Sequence, residues 1–394
     1  MPGNATPQDL VNILSSRGDI TDPRIYEAFA AVPRHLFLPG VPLEQVYSDE
    51  SIVVCTDASD DVWETTMPSM IAHLLQMLEV QPGHNVLEIG TGTGYGTALL
   101  RHLVGDEGKL TSLEIQRNVA ARAEDTLMRA GIHNVYVVNV DGAYGYASHA
   151  AYDRIAVTVG IWDMPRPWIK QIKTRGAIVT PIWLDGLQVT ARFELQPDGR
   201  LTSDHVVPSA FSYIRGSAAG PKVRKRVGST ALNILANGVD QIDTAALSVL
   251  LASDYEDSHL SGALNTHDYW YGFLPYLMIN EPADSVFTLY TVPPGRKAFG
   301  IEGEGFALLT AASAAFVPYY GEGFVHCFAG ADAFLEIESY LDRWREAGCP
   351  TIRDLRLELI PRELWQPRQP KGKVYPRRQH YLHVWLEKPD ETRD

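Results

Sequence analysis

Apolar positions along the chain change spacing in a regular order. Leu10, Val11, Ile13 and Leu14 recur at helical intervals, and so do Ile25, Tyr26, Ala28 and Phe29 behind Asp22-Pro23, an N-cap followed by proline at the first helical position. Ile71, Leu74, Leu75 and Leu78 share one face of a predicted helix over 70–78. From Asn85 onward, short apolar runs at 85–89, 109–115, 135–140, 153–159 and 177–181 alternate with helical periods at 95–104, 116–130 and 165–173. That rhythm predicts a parallel sheet with crossover helices. Runs at 188–195 and 206–213 read as later strands that close the sheet, with antiparallel partners. The expected fold class is therefore α/β, with a Rossmann-like, doubly wound, mostly parallel sheet over 1–213.

The rhythm then breaks. Arg215-Gly-Ser-Ala-Ala-Gly-Pro-Lys-Val-Arg-Lys-Arg-Val-Gly228 is small and then basic, and 214–228 is read as a linker. Helical spacing at 243–252 and 331–346, an aromatic run at 269–278, and strand-like runs at 285–292, 305–309, 353–359 and 379–386 predict a C-terminal α+β accessory domain over 229–394. A chain of 394 residues is long enough for more than one core.

Composition narrows the class. The apolar fraction of 45% and charged fraction of 21% suit a globular protein, and no apolar run reaches membrane-span length. The N-terminus lacks a basic and then apolar signal pattern, so a cytoplasmic location is expected. A net charge of −14 opposes nucleic-acid binding, which needs a basic surface. Cys55, Cys327 and Cys349 are odd in number and scattered, which favours buried thiols over disulfides. His259, His267, His326 and His380 have no metal-ligand spacing, so no metal is expected. The aromatics of 269–276 are read as core and the basic run 368–378 as a solvated loop. Nothing in the sequence sets the oligomeric state.

The chemistry begins at Val86-Leu-Glu-Ile-Gly-Thr-Gly-Thr-Gly-Tyr95. A dinucleotide fingerprint would put its third glycine where Tyr95 stands, whereas here Gly94 comes one residue earlier and Glu88 precedes Gly90, Gly92 and Gly94. A carboxylate beside the glycines suits a ligand with a cationic amino-acid end and no pyrophosphate. The expected cofactor is S-adenosylmethionine, and methyl transfer the expected reaction. Three acids fall at successive strand ends, where ligands of open sheets bind. Glu88 is expected to support the turn or reach the ammonium, Glu114 to accept ribose hydroxyls, and Asp141-Gly142 to meet the adenine amino group. Each acid has a structural alternative as a helix cap.

Asp22-Pro-Arg-Ile-Tyr-Glu-Ala-Phe-Ala-Ala-Val-Pro-Arg-His-Leu-Phe-Leu-Pro39, the 87–95 turn, Val140-Asp-Gly142 and Tyr152-Asp-Arg-Ile-Ala-Val-Thr-Val-Gly160 together resemble the protein-L-isoaspartate O-methyltransferase family over about residues 20–213. The resemblance implies an active-site hydroxyl two residues before a proline. In Glu64-Thr65-Thr66-Met67-Pro68-Ser69 that position is Thr66, where the family has serine. Thr66 is thus the expected catalytic residue, orienting the acceptor carboxylate. Thr65 is assigned to the cofactor, and Met67, Val159 and Gly160 join Thr66 around the substrate. Ser69 is expected to cap the helix that follows. An ionised carboxylate needs no strong base, so positioning carries the rate. The C-terminal extension resembles long variants that methylate an aspartate in a ribosomally made precursor peptide of the lanthipeptide, graspetide or imiditide kind, giving a succinimide or isoaspartate. That peptide is the leading expected partner. Repair of isoaspartyl residues in damaged proteins is the alternative, and a non-catalytic cofactor-binding scaffold a third reading.

Overall fold

The computed structural model describes residues 5–56, 62–203, 205–253, 255–262, 264–280, 284–366 and 371–387. Residues 1–4, the Cys55 side chain, and the 368–370 part of the basic run lie outside them.

Local signals act as expected at the start. Thr6 caps helix Pro7–Ser16 with a reciprocal Asp9 bond, and Asp22 accepts from the Arg24 N–H at the head of helix Pro23–Ala31. Helix Pro68–Leu78 follows a short antiparallel hairpin, β1 (Val53–Thr56) and β2 (Val62–Glu64). Ser69 is not its cap. Met67 holds the cap position and makes no side-chain cap bond, while the Asp49 carboxylate accepts from the Ser69 N–H at 2.8 Å. One free N–H of this helix is thus served from a distant residue, which spacing along the chain does not reveal.

The central strands are β3 (Asn85–Ile89), β4 (Lys109–Glu114), β5 (Val135–Asn139), β6 (Tyr152–Val157), β7 (Ile172–Trp183), β8 (Gln188–Leu195), β9 (Leu201–Ser203) and β10 (Val206–Pro208). Helices Tyr95–Val104, Arg117–Arg129 and Arg166–Gln171 connect them at the expected places. The parallel part runs β7-β6-β3-β4-β5, so the chain leaves β3 in one direction and returns on its other side. That reversal opens a crevice beyond the carboxyl ends of β3, β4 and β6. The strand expected over 206–213 stops at Pro208. Residues 212–214 instead bond to Gly160, with the Gly160 N–H donating to Ser212 O and the Ile214 N–H to Gly160 O.

After β11 (Arg224–Arg226) and β12 (Asn233–Leu235), the strands β13 (Tyr255–His259), β14 (Val286–Thr291), β15 (Glu304–Leu309), β16 (Ala314–Pro318) and β17 (Phe324–Phe328) complete a seven-stranded antiparallel sheet of order β11-β12-β14-β15-β16-β17-β13. Helix Asp332–Glu346 packs on it through Ile337, Tyr340, Leu341 and Trp344. The aromatic run packs in the same layer, with Tyr269 and Phe273 buried.

The expected division at 214–228 needs correction. β18 (Leu355–Pro361) pairs with β9, and β20 (His380–Leu386) and β19 (Lys373–Pro376) extend the same edge, so the first sheet reads β19-β20-β18-β9-β8-β7-β6-β3-β4-β5, with β10 on β8. One apolar core joins Ile182, Leu187 and Phe193 to Phe273, Leu277, Phe287, Leu357 and Val384. β9 would otherwise present an unpaired edge, and β18 covers it with backbone bonds and buried Leu357 and Leu359. The segment 214–228 is likewise no bare linker, since it holds a 3₁₀ turn at Gly216–Ala218 and β11.

Two smaller expectations also change. Cys327 is buried, but Cys349 is exposed. Arg377, expected in a solvated loop, is only 1% exposed. No helix among the described residues is long and apolar enough to cross a membrane, and no group of three or more His, Cys, Asp or Glu there is arranged to hold a metal ion.

Candidate functional site

β3 delivers the glycine turn. Gly90 stands at φ +100, and a Cβ built there would lie 2.5 Å from Thr158 Oγ1, so only glycine fits. The Thr158 hydroxyl donates to Gly90 O at 2.7 Å and is also 3.1 Å from Ile89 O, tying the turn to the end of β6. Gly94, in the left-handed region, heads helix Tyr95–Val104. From the end of β4, Glu114 accepts the Gly92 N–H at 3.1 Å and the Gln116 N–H at 3.0 Å. Each of its oxygens retains a lone pair, so the carboxylate braces the turn and still presents acceptors to the crevice.

Glu88 is 1% exposed. Its Oε2 accepts from Thr97 Oγ1 at 2.5 Å and Ser112 Oγ at 2.6 Å, and among the described residues no donor reaches Oε1. Burial pushes its carboxyl up to about 7 despite the two hydroxyls, and the charge of Glu114 adds to the rise. A raised carboxyl binds its proton more tightly in the folded protein than in the unfolded chain. Its stabilising contribution is therefore complete below the unfolded value near 4.5 and is lost as pH rises through about 7. Chemical denaturation of the ligand-free protein between pH 4.5 and 8 should show that loss, and Glu88→Gln should flatten it; equal slopes would remove Glu88 as its source.

A cavity of about 500 Å³ brings these groups together, within the roughly 300–1,000 Å³ usual for small-molecule sites. Its wall includes Thr65, Thr66, Glu88, Gly90, Gly92, Glu114, Gly142 and Val159. Its outer side is residues 211–215, a segment that sequence reasoning did not single out. Thr65 braces the wall, since its Oγ1 accepts from the Ile52 N–H at 3.0 Å and from Arg34 at 3.2 Å. The Arg34 guanidinium, 1% exposed, also donates to the carbonyls of Val46, Ser48 and Glu50. Arg34 was visible only as part of the Val-Pro-Arg-His-Leu-Phe motif. Thr66 differs from Thr65, because its hydroxyl has no hydrogen-bond partner among the described residues and is partly open to the cavity.

Other expected residues lie elsewhere. Gly94 heads the helix beside the cavity without lining it, and Met67 starts helix Pro68–Leu78 outside its wall. Gly160, expected to grip a peptide with its backbone, spends both backbone groups on Ser212 and Ile214. Val159 forms no backbone bond among the described residues and remains at the wall. Asp141 also turns away. Its Oδ1 accepts the Ala143 N–H at 3.0 Å and its Oδ2 the Ser217 N–H at 2.8 Å. Burial alone would raise its carboxyl, but these bonds outweigh it and hold the group below the usual carboxylate range. Of the Asp141-Gly142 pair, only Gly142 lines the cavity.

The sequence model of the protein-L-isoaspartate(D-aspartate) O-methyltransferase family matches residues 5–216, more than half of the chain. The chain belongs to this family. It is 34% identical over 201 residues to protein-L-isoaspartate O-methyltransferase 2 of Archaeoglobus fulgidus, covering 51% of this chain and 89% of that one. The Thermotoga maritima relative is 37% identical over 159 residues, covering 40% of this chain and 50% of its own. A solved protein-L-isoaspartate O-methyltransferase aligns over 89% of this chain and 96% of its own with a TM-score of 0.51 at 23% identity. That likeness of fold runs past residue 216 into the C-terminal half. Membership makes the chain a protein carboxyl O-methyltransferase dependent on S-adenosylmethionine. The donor set fits that cofactor. A buried carboxylate with one unserved oxygen suits an ammonium, an acid at the end of the next strand suits a diol, and the glycine turn lets backbone approach between them.

Proposed function

We propose that the protein methylates the free carboxyl of isoaspartyl residues in proteins or peptides. The carrying observation is that Thr66, whose hydroxyl has no partner among the described residues, lines the same cavity as the glycine turn, Glu88 and Glu114. In this reading Glu88 and Glu114 hold the two polar ends of S-adenosylmethionine, and Gly90 and Gly92 admit it. The cofactor supplies an electrophilic methyl on a sulfonium that departs as a neutral thioether. The Thr66 O–H donates to one oxygen of the acceptor carboxylate, turning the other toward the methyl. Bound there, the cofactor would supply its methyl to the oxygen left free by Thr66, and no protein base is needed because the acceptor is already ionised. Val53, Val54 and Tyr213 give the wall beside the reacting carboxylate an apolar face. The neighbouring backbone nitrogen then closes on the ester, methanol leaves, and the resulting succinimide can hydrolyse to aspartate.

A dedicated precursor peptide carrying an ordinary aspartate would use the same chemistry. The C-terminal half does not favour it, since a solved isoaspartate O-methyltransferase shares that half in fold. The family relatives support the isoaspartyl acceptor instead. Matched peptides that differ only in aspartyl or isoaspartyl linkage test this with labelled methyl. The isoaspartyl form should be methylated at least roughly tenfold faster, the scale of discrimination one methylene shift in a shaped site provides. A preference for the aspartyl form would favour the precursor-peptide reading. Cofactor binding without methylation of either would favour a scaffold.

A further inference from the structure

The turn joining β19 to β20 meets the segment that follows the cavity wall at 211–215. Arg378 Nη1 donates to Ser217 O at 2.8 Å and Nη2 to Ala219 O at 3.1 Å. The Ser217 N–H is the donor that holds Asp141 Oδ2, and a Cβ on the neighbouring Gly216 would fall 2.5 Å from that same oxygen and 2.8 Å from Ile115 Cδ1. Ile115 and residues 211–215 line the cavity. The neighbouring Arg377 makes a second, deeper tie. Its Nη2 donates to Trp183 O at 2.8 Å and is 3.2 Å from Leu184 O, while its guanidinium lies 3.6 Å from the Trp162 ring centroid. The Trp183 ring in turn meets Tyr213 edge-on, with centroids 5.7 Å apart. The turn itself is pinned by Asp163, which accepts from the Gln379 N–H at 2.5 Å and pairs with His380 Nδ1 at 2.7 Å.

Residues 209–219 carry no strand pairing beyond the Gly160 bridge. Gln188 holds the start of this segment at Ser209 and Phe211, Gly160 holds its middle, and Arg378 reaches its end at Ser217 and Ala219. We infer that Arg378, supported by Arg377, is a positioning residue for the cofactor cavity. Through Ser217 it fixes the Ser212–Arg215 wall against Asp141 and Ile115, so that the C-terminal half completes the active site rather than standing beside it. This rests on the cofactor reading of the cavity.

The test uses the full chain and S-adenosylhomocysteine as probe. Arg378→Ala should weaken its calorimetric Kd about threefold to tenfold, the scale of losing hydrogen bonds at an exposed site. KM for S-adenosylmethionine should rise in parallel with kcat nearly kept, and hydrogen exchange at 211–219 should accelerate. Arg378→Lys, which keeps the charge and loses the two-carbonyl fork, should fall between. Arg166→Ala removes the Arg166–Glu363 pair, another tie between the two halves of the chain that does not touch residues 211–219. It should leave the Kd unchanged. Unchanged affinity and exchange in Arg378→Ala, or an equal loss in Arg166→Ala, overturns the inference. Glu114→Ala separates the underlying reading, because unchanged probe affinity there would dismiss the cofactor site itself.

Discussion

Replacing Gly90 with alanine is expected to abolish measurable S-adenosylhomocysteine binding and to cost about 2–3 kcal/mol of stability. At φ +100 an alanine is strained wherever its methyl points, and here the methyl would sit 2.5 Å from Thr158 Oγ1. That hydroxyl can retreat only by giving up Gly90 O and Ile89 O, the bonds that join the turn to β6. The substitution therefore strains the backbone and also detaches Thr158 beside Val159. Gly83→Ala is the internal control, because Gly83 has φ +83 but nothing within 4 Å of its Cβ. It should lose about 1 kcal/mol through conformation alone and bind the probe normally. Thermal unfolding and calorimetry read both. Normal binding in Gly90→Ala would mean that the turn does not hold the cofactor.

Thr66→Val should lower kcat/KM for methyl transfer about tenfold to a hundredfold, the worth of one hydrogen bond to a charged group in a shielded site. Valine keeps the shape and removes only the O–H, and Thr66 has no bond to the rest of the described protein that the change would break. Stability and S-adenosylhomocysteine affinity should stay near wild type. Thr66→Ser should retain or raise the rate, since the hydroxyl remains and the added methyl is gone. Full turnover in Thr66→Val would remove Thr66 from the reaction, and weakened probe binding would reassign it to the cofactor. Thr65→Val is expected to behave differently. Its Oγ1 serves Arg34 and the Ile52 N–H, so its loss should show first in the melting temperature.

The methyltransferase half was largely legible because its signals are local. Strand Asn85–Ile89 and helix Tyr95–Val104 follow from period and from a turn that needs positive φ, and both lie where the pattern puts them. Glu88, Glu114 and Thr66 face one cavity because strand ends and the segment before helix Pro68–Leu78 converge wherever a doubly wound sheet reverses. Asp141 and Gly160 do not line the cavity, and their bonds were not legible in the sequence. Asp141 caps the turn at Ala143 and also meets Ser217, while Gly160 meets Ser212 and Ile214, and no motif announces the partners at 212–217. Arg34 and Arg377 illustrate the same gap, since a buried arginine that donates to carbonyls distant in the chain looks in sequence like any surface cation.

By itself, then, the sequence determined the order of strands and helices, the glycine turn, the acids at the strand ends and the family. All of these rest on periodicity, backbone sterics and spacing within a few tens of residues. Only the tertiary structure decided that the second half is not separate. β18 closes the edge left by β9, and Arg378 reaches back to Ser217, because unpaired strand edges and exposed carbonyls are satisfied by whatever the fold brings near. Such partners are chosen by geometry, and no local pattern encodes them.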